Sequence, residues 1–425
     1  PYAVPGEVLN SPNDFASDLY YACMDGESDY FPDMAHGRIS VTSATQALDV
    51  VLKMVNYERY PVTNSSFYSN AVTCAYFQDD NMDGYADRRF THTSEEIRDY
   101  TMSKGFSVER IYNTESDKNP ANYNNGYYSD GQAIPYEITR DGGFAWDGRG
   151  VDITASINAG KFYVFHRDHG YAGGSGWARP YYTTNQIPNL TNGALLPVVF
   201  SINCQTGHFL VSECIAEKFI RHTGGGAVGV IAASYTSFSG FNDGFSCGAI
   251  DAIWSDPGLI PDFGSGGIHN PNPTTHDDIF TMGDVLNQAL LRMTQTWGTS
   301  IRTFELFHYF GDPAMEIWTG EPVTITANIP GTASGTSITI TGSSCEDALA
   351  TAFYNGALIG KTQLENGNGT ITFSRLENNT EILITLSKHN YRPLMGSSIS
   401  DGSITYCQSY GNSTASEWIQ SIALG

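Results

Sequence analysis

Apolar positions in the first 320 residues fall into short solid runs separated by amphipathic stretches. The runs AVTCAYF (71–77), FSVERIY (106–112), KFYVFH (161–166), PVVFSIN (197–203) and GAVGVIAAS (226–234) have the length and β-branched or aromatic content of buried strands. Between them the period changes. Leu48, Val51, Leu52 and Val55 recur at i, i+3, i+4 and i+7 behind Thr42 and Ser43, which predicts a capped helix ending near Tyr60, before Pro61. Thr93-Ser94-Glu95-Glu96 reads as a capping box for a helix through Ile97, Tyr100 and Thr101. Ser212 is placed to cap a further helix with Ile215, Ala216, Phe219 and Ile220 on one face. Alternating strands and helices predict an α/β sandwich with a mainly parallel sheet, whose ligands bind at the carboxyl ends of the strands.

From residue 321 the period becomes two. EPVTITANIP, TSITITG, ATAFYNGALIG, GTITFSRL and EILITLSKHNY are separated by Gly/Asn turns, as in a β-sandwich. Four segments are expected: 1–66 completing a truncated N-terminal subdomain, 67–320 the α/β domain, 321–396 the sandwich, and 397–425 the start of a further module. The opening PYAVPGEVLN has no initiator Met and no signal pattern, so both ends read as cuts in a longer precursor.

Charge narrows the partners. Lys and Arg number 22 against 45 Asp and Glu, a formal net charge of -23. Such a polyanion does not track a phosphate backbone, so nucleic acid is not expected as a partner, anionic membrane surfaces are poor ones, and no apolar run is long enough for membrane insertion. Seven cysteines, an odd number without CxxC spacing, argue against a zinc site or disulfide framework and for one chemically used thiol.

The candidate thiol is Cys204. FHRDHGYAGGSGW puts His169 and Gly170 just after one strand, and PVVFSINCQTGHF puts Cys204 just after the next. Adjacent parallel strands would bring both to one rim. An imidazole beside a thiol generates the thiolate and returns a proton to a leaving amine. The amides of Gly170 and Cys204 are placed to hold an oxyanion. His166 and His208 flank the pair as structural or cleft-lining residues, and Trp177 and Tyr181 are candidates for its wall.

The His-Gly after one strand and the Asn-Cys-Gln-Thr-Gly after the next resemble the clan of caspases, clostripain and gingipains. GRISVTSATQALDVVLKMVNYERY, VTCAYF, SEEIRDYTMSKGFSVERIY, GVIAAS and FGDPAMEIW follow in gingipain order, so residues 15–395 resemble a gingipain-type cysteine peptidase. The resemblance implies a caspase-like three-layer α/β/α sandwich followed by an Ig-like sandwich. It implies a secreted or cell-surface bacterial zymogen that cleaves protein or peptide substrates. It also implies a carboxylate orienting His169, and Asp79 matches that position best, with Asp80 beside it. In arginine-specific gingipains an acid binds the substrate guanidinium where this chain has Phe90, so strict arginine preference is not implied; Asp243, Asp277 and Asp278 are left as candidate pocket acids.

FQDDNMDGYADRRF adds a metal candidate. Asp79, Asn81, Asp83, the Tyr85 carbonyl and Asp87 place hard oxygens at alternate positions around Gly84, the spacing calcium uses, although Phe90 stands where an EF-hand has Glu. His269, His276, Asp277 and Asp278 are a weaker set without HExxH geometry. Two other functions fit the same residues: a catalytically silent, calcium-stabilised surface-binding or adhesive protein, and a thiol transpeptidase.

Overall fold

The computed structural model describes residues 2–4, 15–26, 28–123, 131–211, 213–262, 270 and 272–400. Ser212, His269 and residues 401–425 lie outside the described residues. The chain forms two compact units, one of residues 1–54 with 64–317, the other of 55–63 with 318 onward. The division differs from the expected four segments. The chain up to residue 54 belongs with the α/β sheet rather than to a subdomain of its own, and helix Ala44–Arg59 runs through the boundary.

The first unit is built on a six-stranded sheet in the order Phe307–Phe310, Gly229–Ala233, Val198–Ile202, Tyr163–Arg167, Asn70–Tyr76, Ser107–Asn113. Five strands are parallel, and Phe307–Phe310 runs antiparallel at one edge. That edge strand has no sequence signal of its own, because FHYF is too short to display a period. The five parallel strands fall within the predicted runs to within a residue or two.

Side-chain alternation sends neighbouring strand residues to opposite faces. On one face Val72, Cys74, Val164, Val199 and Val230 join Ile153 and Ile157 of helix Gly150–Asn158 and Ile215, Ala216, Phe219 and Ile220 of helix Ile215–Arg221 in a fully buried cluster. On the other, Tyr163 donates to Thr101 of helix Phe90–Ser103 at 3.1 Å, and Arg167 meets Asp243 of helix Ser239–Ile253. The expected three-layer α/β/α sandwich is present.

Two local expectations need correction. Helix Phe90–Ser103 starts three residues before the proposed capping box, whose side chains are engaged elsewhere. Thr93 donates to Asp243, Glu95 accepts from Arg110 and Tyr112, and Glu96 accepts from Arg89. In helix Ala44–Arg59 the buried stripe is Val50, Met54 and Tyr57, while Leu48 is exposed. Ser43 caps this helix as expected, its Oγ accepting the Gln46 amide at 3.2 Å.

The second unit is all-β. A six-stranded sheet orders Val323–Thr324, Tyr391–Ser400, Thr380–Lys388, Leu349–Tyr354 and Ala357–Gln363, with Thr332–Ala333 also on Tyr391–Ser400. A three-stranded sheet holds Ala327–Asn328, Ser337–Gly342 and Asn368–Thr372. Alternate residues Ile338, Ile340, Ala350, Ala352, Ile382, Ile384 and Leu386 form the core. Strand Tyr391–Ser400 crosses the expected boundary at 396: Ser397 to Ser400 pair with Leu383 to Thr380, so they complete this unit rather than begin another.

Candidate active site

The strand register brings the two sequence-predicted residues together. Tyr163–Arg167 pairs in parallel with Val198–Ile202, Arg167 opposite Ile202, so His169 and Cys204 emerge two residues later from adjacent strand ends. Both are partly exposed. Gly170 shows how close their loops run. A Cβ on it would stand 2.5 Å from the Cys204 carbonyl oxygen and 2.6 Å from Asn203 Oδ1, distances no side chain tolerates. Immediately after Cys204 the chain turns through a left-handed residue, Gln205 at φ +61°.

The neighbouring strand ends supply the rest of the rim. Asn70–Tyr76 lies on the other side of the histidine strand and leads into Gln78. Gln78 Oε1 is 3.0 Å from His169 Nε2, and Gln78 Nε2 donates to Asp80 at 2.8 Å. The carboxylate expected at the histidine is thus an amide, with Asp80 one hydrogen bond behind it. Asp79 faces the other way: its oxygens accept the Asp83 and Gly84 amides, both at 3.1 Å. Those two amides turn the Asp79 carboxylate back into its own loop and away from the ring.

Beyond Gly229–Ala233, Ser237 reaches the sulfur. Its amide donates to Cys204 Sγ at 3.4 Å, where a thiolate's charge would sit, and its hydroxyl donates to the Asn203 carbonyl at 3.0 Å. Ser237 carries no signal in the sequence, because only the sheet order brings residue 237 to residue 204.

A buried polar brace lies behind the loops. His166 stacks on Trp177 at 4.2 Å and 5° between ring planes. Burial pushes its pKa down to about 3, so it is neutral, accepting at Nδ1 from Asn203 (2.7 Å) and donating from Nε2 to the Arg179 carbonyl (3.0 Å). Asn203 in turn accepts from Thr206 at 2.6 Å. His166 and Trp177 are therefore structural, tying the residue before Cys204 to the hairpin after His169, whereas Tyr181 is exposed.

His169 itself has its pKa lowered from the usual 6.5, first by burial and then by the positive charges of Arg167 and Arg88, with Asp80 opposing. Asp168 beside it is pushed up to about 8 by burial, the amides of His169 and Arg179 offsetting part of that cost.

The 79–87 loop closes on its own hydrogen bonds. Asp83 accepts from the Tyr85 amide (2.8 Å) and the Asn81 side chain (3.0 Å), and Asp87 accepts from the Asp80 amide (2.7 Å), with Gly84 left-handed at φ +81°. Among the described residues, the carboxylates whose oxygens converge within 4.8 Å are instead Asp25, Asp29 and Asp33. The histidine–aspartate stretch is also engaged: His276 bonds Asp251 at 2.9 Å, and Asp278 accepts the Ser255 amide and hydroxyl.

A mainly parallel sheet with histidine and cysteine on adjacent strand ends defines a class of fold, and comparison with solved structures agrees. The structure matches the Arg-specific cysteine proteinase gingipain R with a TM-score of 0.69 at 19% identity, covering 91% of this chain and 79% of that one. It matches the complex of the pro- and mature domains of Porphyromonas gingivalis RgpB with the same score at 18% identity, over 91% and 81%. In sequence, Gingipain R1 of Porphyromonas gingivalis is 24% identical over 278 residues, 64% of this chain and 26% of the relative. Lys-gingipain of the same organism is 23% identical over 423 residues, 96% and 22%. The chain thus spans about a quarter of the length of these relatives. The model of peptidase family C25 matches residues 2–318, and the chain belongs to that family.

Proposed function

We propose that this protein is a cysteine endopeptidase in which Cys204 is the nucleophile and His169 the proton carrier. The observation that carries the reading is the contact of the two loops at Gly170, where any side chain would strike Cys204 and Asn203. That closeness serves chemistry that needs the thiol, the imidazole and two backbone amides around one carbonyl. His169 takes the Cys204 thiol proton on its free ring nitrogen, the thiolate forms the C–S bond, and the carbonyl oxygen takes the negative charge beside the Gly170 and Cys204 amides. As the C–N bond breaks, His169 gives its proton to the departing amine, and water activated by the same imidazole then hydrolyses the thioester. Gln78, rather than Asp79, holds the ring through Nε2 and leaves the other nitrogen for proton transfer.

Protein and peptide substrates, a secreted or cell-surface location and an Ig-like second unit belong to the same proposal, supported by the family and by the two-sheet all-β unit. Calcium is proposed at the 79–87 loop: Asp79, Asn81, Asp83, the Tyr85 carbonyl and Asp87 offer the oxygens, and binding would exchange their present amide partners for the ion. Cleavage of a diverse peptide library, read by mass spectrometry, tests the central claim. Wild type should cut and Cys204→Ala should not, a loss of at least about 10³-fold. Equal cutting by both would remove Cys204 from the mechanism.

A further inference from the structure

One buried charged cluster beside the site takes no part in the steps above. Arg167, two residues before His169, leaves its strand on the face opposite His166. Its guanidinium lies 4.7 Å from the centre of the Phe90 ring, and that ring meets His169 edge-to-face at 5.2 Å. Arg167 donates to Asp243 Oδ1 from Nε (3.2 Å) and Nη2 (2.7 Å). Nη2 also donates to the Ser239 carbonyl and hydroxyl, at 3.0 and 3.2 Å. The second Asp243 oxygen lies 3.6 Å from Arg89 Nε. Ser239 is two residues from Ser237, whose amide is on Cys204 Sγ, so this wall begins at His169 and returns to the sulfur.

The wall is filled. Arg167 is 1% exposed and Asp243 0%, so Asp243, one of the acids left as pocket candidates by the sequence, already holds a cation supplied by the chain. A lysine or arginine side chain entering here would have to displace Arg167 or lose its hydration without a counter-charge, and both are costly in a buried setting.

We infer that Arg167 is a specificity-determining residue that occupies the acidic end of the P1 side-chain site, so that the protein cleaves after uncharged residues and rejects lysine and arginine. This rests on the cysteine endopeptidase reading. The ring of Phe90 and the Ser237–Ser239 backbone give the remaining wall apolar and neutral hydrogen-bonding surface, which suits a short uncharged P1 side chain.

The test is P1 profiling of the full chain on a positional peptide library beside Cys204→Ala. Cys204-dependent cleavage after uncharged residues, with Lys and Arg at least about a hundredfold lower in kcat/KM, is the expected result. Cys204-dependent cleavage favouring Lys, Arg, Asp or Glu at P1 overturns the inference and leaves the endopeptidase reading standing. Absence of any Cys204-dependent cleavage sinks that reading and the inference with it. Arg167→Ala supplies the converse. Removing the Arg167 guanidinium from Asp243 Oδ1, with Arg89 still beside Oδ2, should raise kcat/KM for P1 lysine at least tenfold over wild type, and the charge-neutral Arg167→Ala/Asp243→Asn pair should not. Equal gain in both variants would mean that space rather than charge sets the preference, and would overturn the assignment to Arg167's charge. Should Arg167→Ala not fold, the wild-type profile alone decides.

Discussion

His169 gives its Nε2–H to an amide oxygen, and this sets the pH range in which it can serve as a base. Burial, Arg167 and Arg88 hold its pKa below 6.5, and neutral Gln78 does little to reverse that. A base works only when unprotonated, so the acid limb of kcat/KM should lie below pH 6.5, with activity lost as pH falls through the lowered pKa. Gln78→Glu would put a carboxylate on the Nε2–H, favour imidazolium, and move the limb upward by about one unit. Gln78→Ala should leave the limb in place and lower kcat about tenfold by freeing the ring. A pH profile of all three proteins checks this; a limb that stays put in Gln78→Glu would remove Gln78 from contact with the working histidine. Cys204 and His169 were legible as a candidate pair because a motif carries them. Gln78 and Ser237 were not, because neither has a reactive side chain and both reach the site only through the order of strands. The family pattern pointed to a carboxylate, and Asp79, one residue on, took the place of the amide that touches the ring.

At the scale of elements, the active rim depends on two loops approaching without a side chain between them. The hairpin of Gly170–Tyr171 with Gly176–Trp177 is held from behind by Trp177, whose Nε1 donates to Ser201 at 2.8 Å, and by His166 stacked on the same indole. With the hairpin fixed, Gly170 cannot retreat. Gly170→Ala should therefore lower kcat/KM at least about a hundredfold by pushing the His169 and Cys204 loops apart, and cost about 2 kcal/mol of stability by overpacking. Kinetics with thermal unfolding measures both, and near-wild-type activity in a folded Gly170→Ala would break the link between this contact and catalysis. The parallel strands were legible because each is buried on both faces and reads as an apolar run. Helix starts were less so. The apparent capping box at Thr93 failed because a tertiary partner, Asp243, competes for the threonine hydroxyl, and Glu95 prefers Arg110 and Tyr112 to a backbone amide. Lys53 is a further element-scale anchor invisible to periodicity. From inside helix Ala44–Arg59 it donates to the carbonyls of Ile220, His222 and Gly225 at 2.6–2.8 Å, closing the end of helix Ile215–Arg221.

At the scale of the molecule, 45 acidic against 22 basic residues make any added cation stabilising through screening, so a calcium effect must be separated from a charge effect. The 79–87 loop follows directly from Gln78, so an ion there would stiffen the support of His169. The loop's carboxylates already satisfy its amides, and this predicts a modest effect rather than folding that depends on the metal. Free calcium at about a hundred times the dissociation constant would add about 2.7 kcal/mol, a rise in Tm of about 5 °C for a domain of this size. Magnesium at equal ionic strength should give less than half of that, because it demands a tighter octahedron and keeps its water. Asp83→Asn should abolish the calcium-specific part. Asp29→Asn, in the separate cluster with Asp25 and Asp33, should leave it intact. Thermal unfolding of the three proteins in calcium, magnesium and chelator decides the matter: a shift that magnesium reproduces, or that survives Asp83→Asn, assigns the stabilisation to the net charge and removes calcium from the loop.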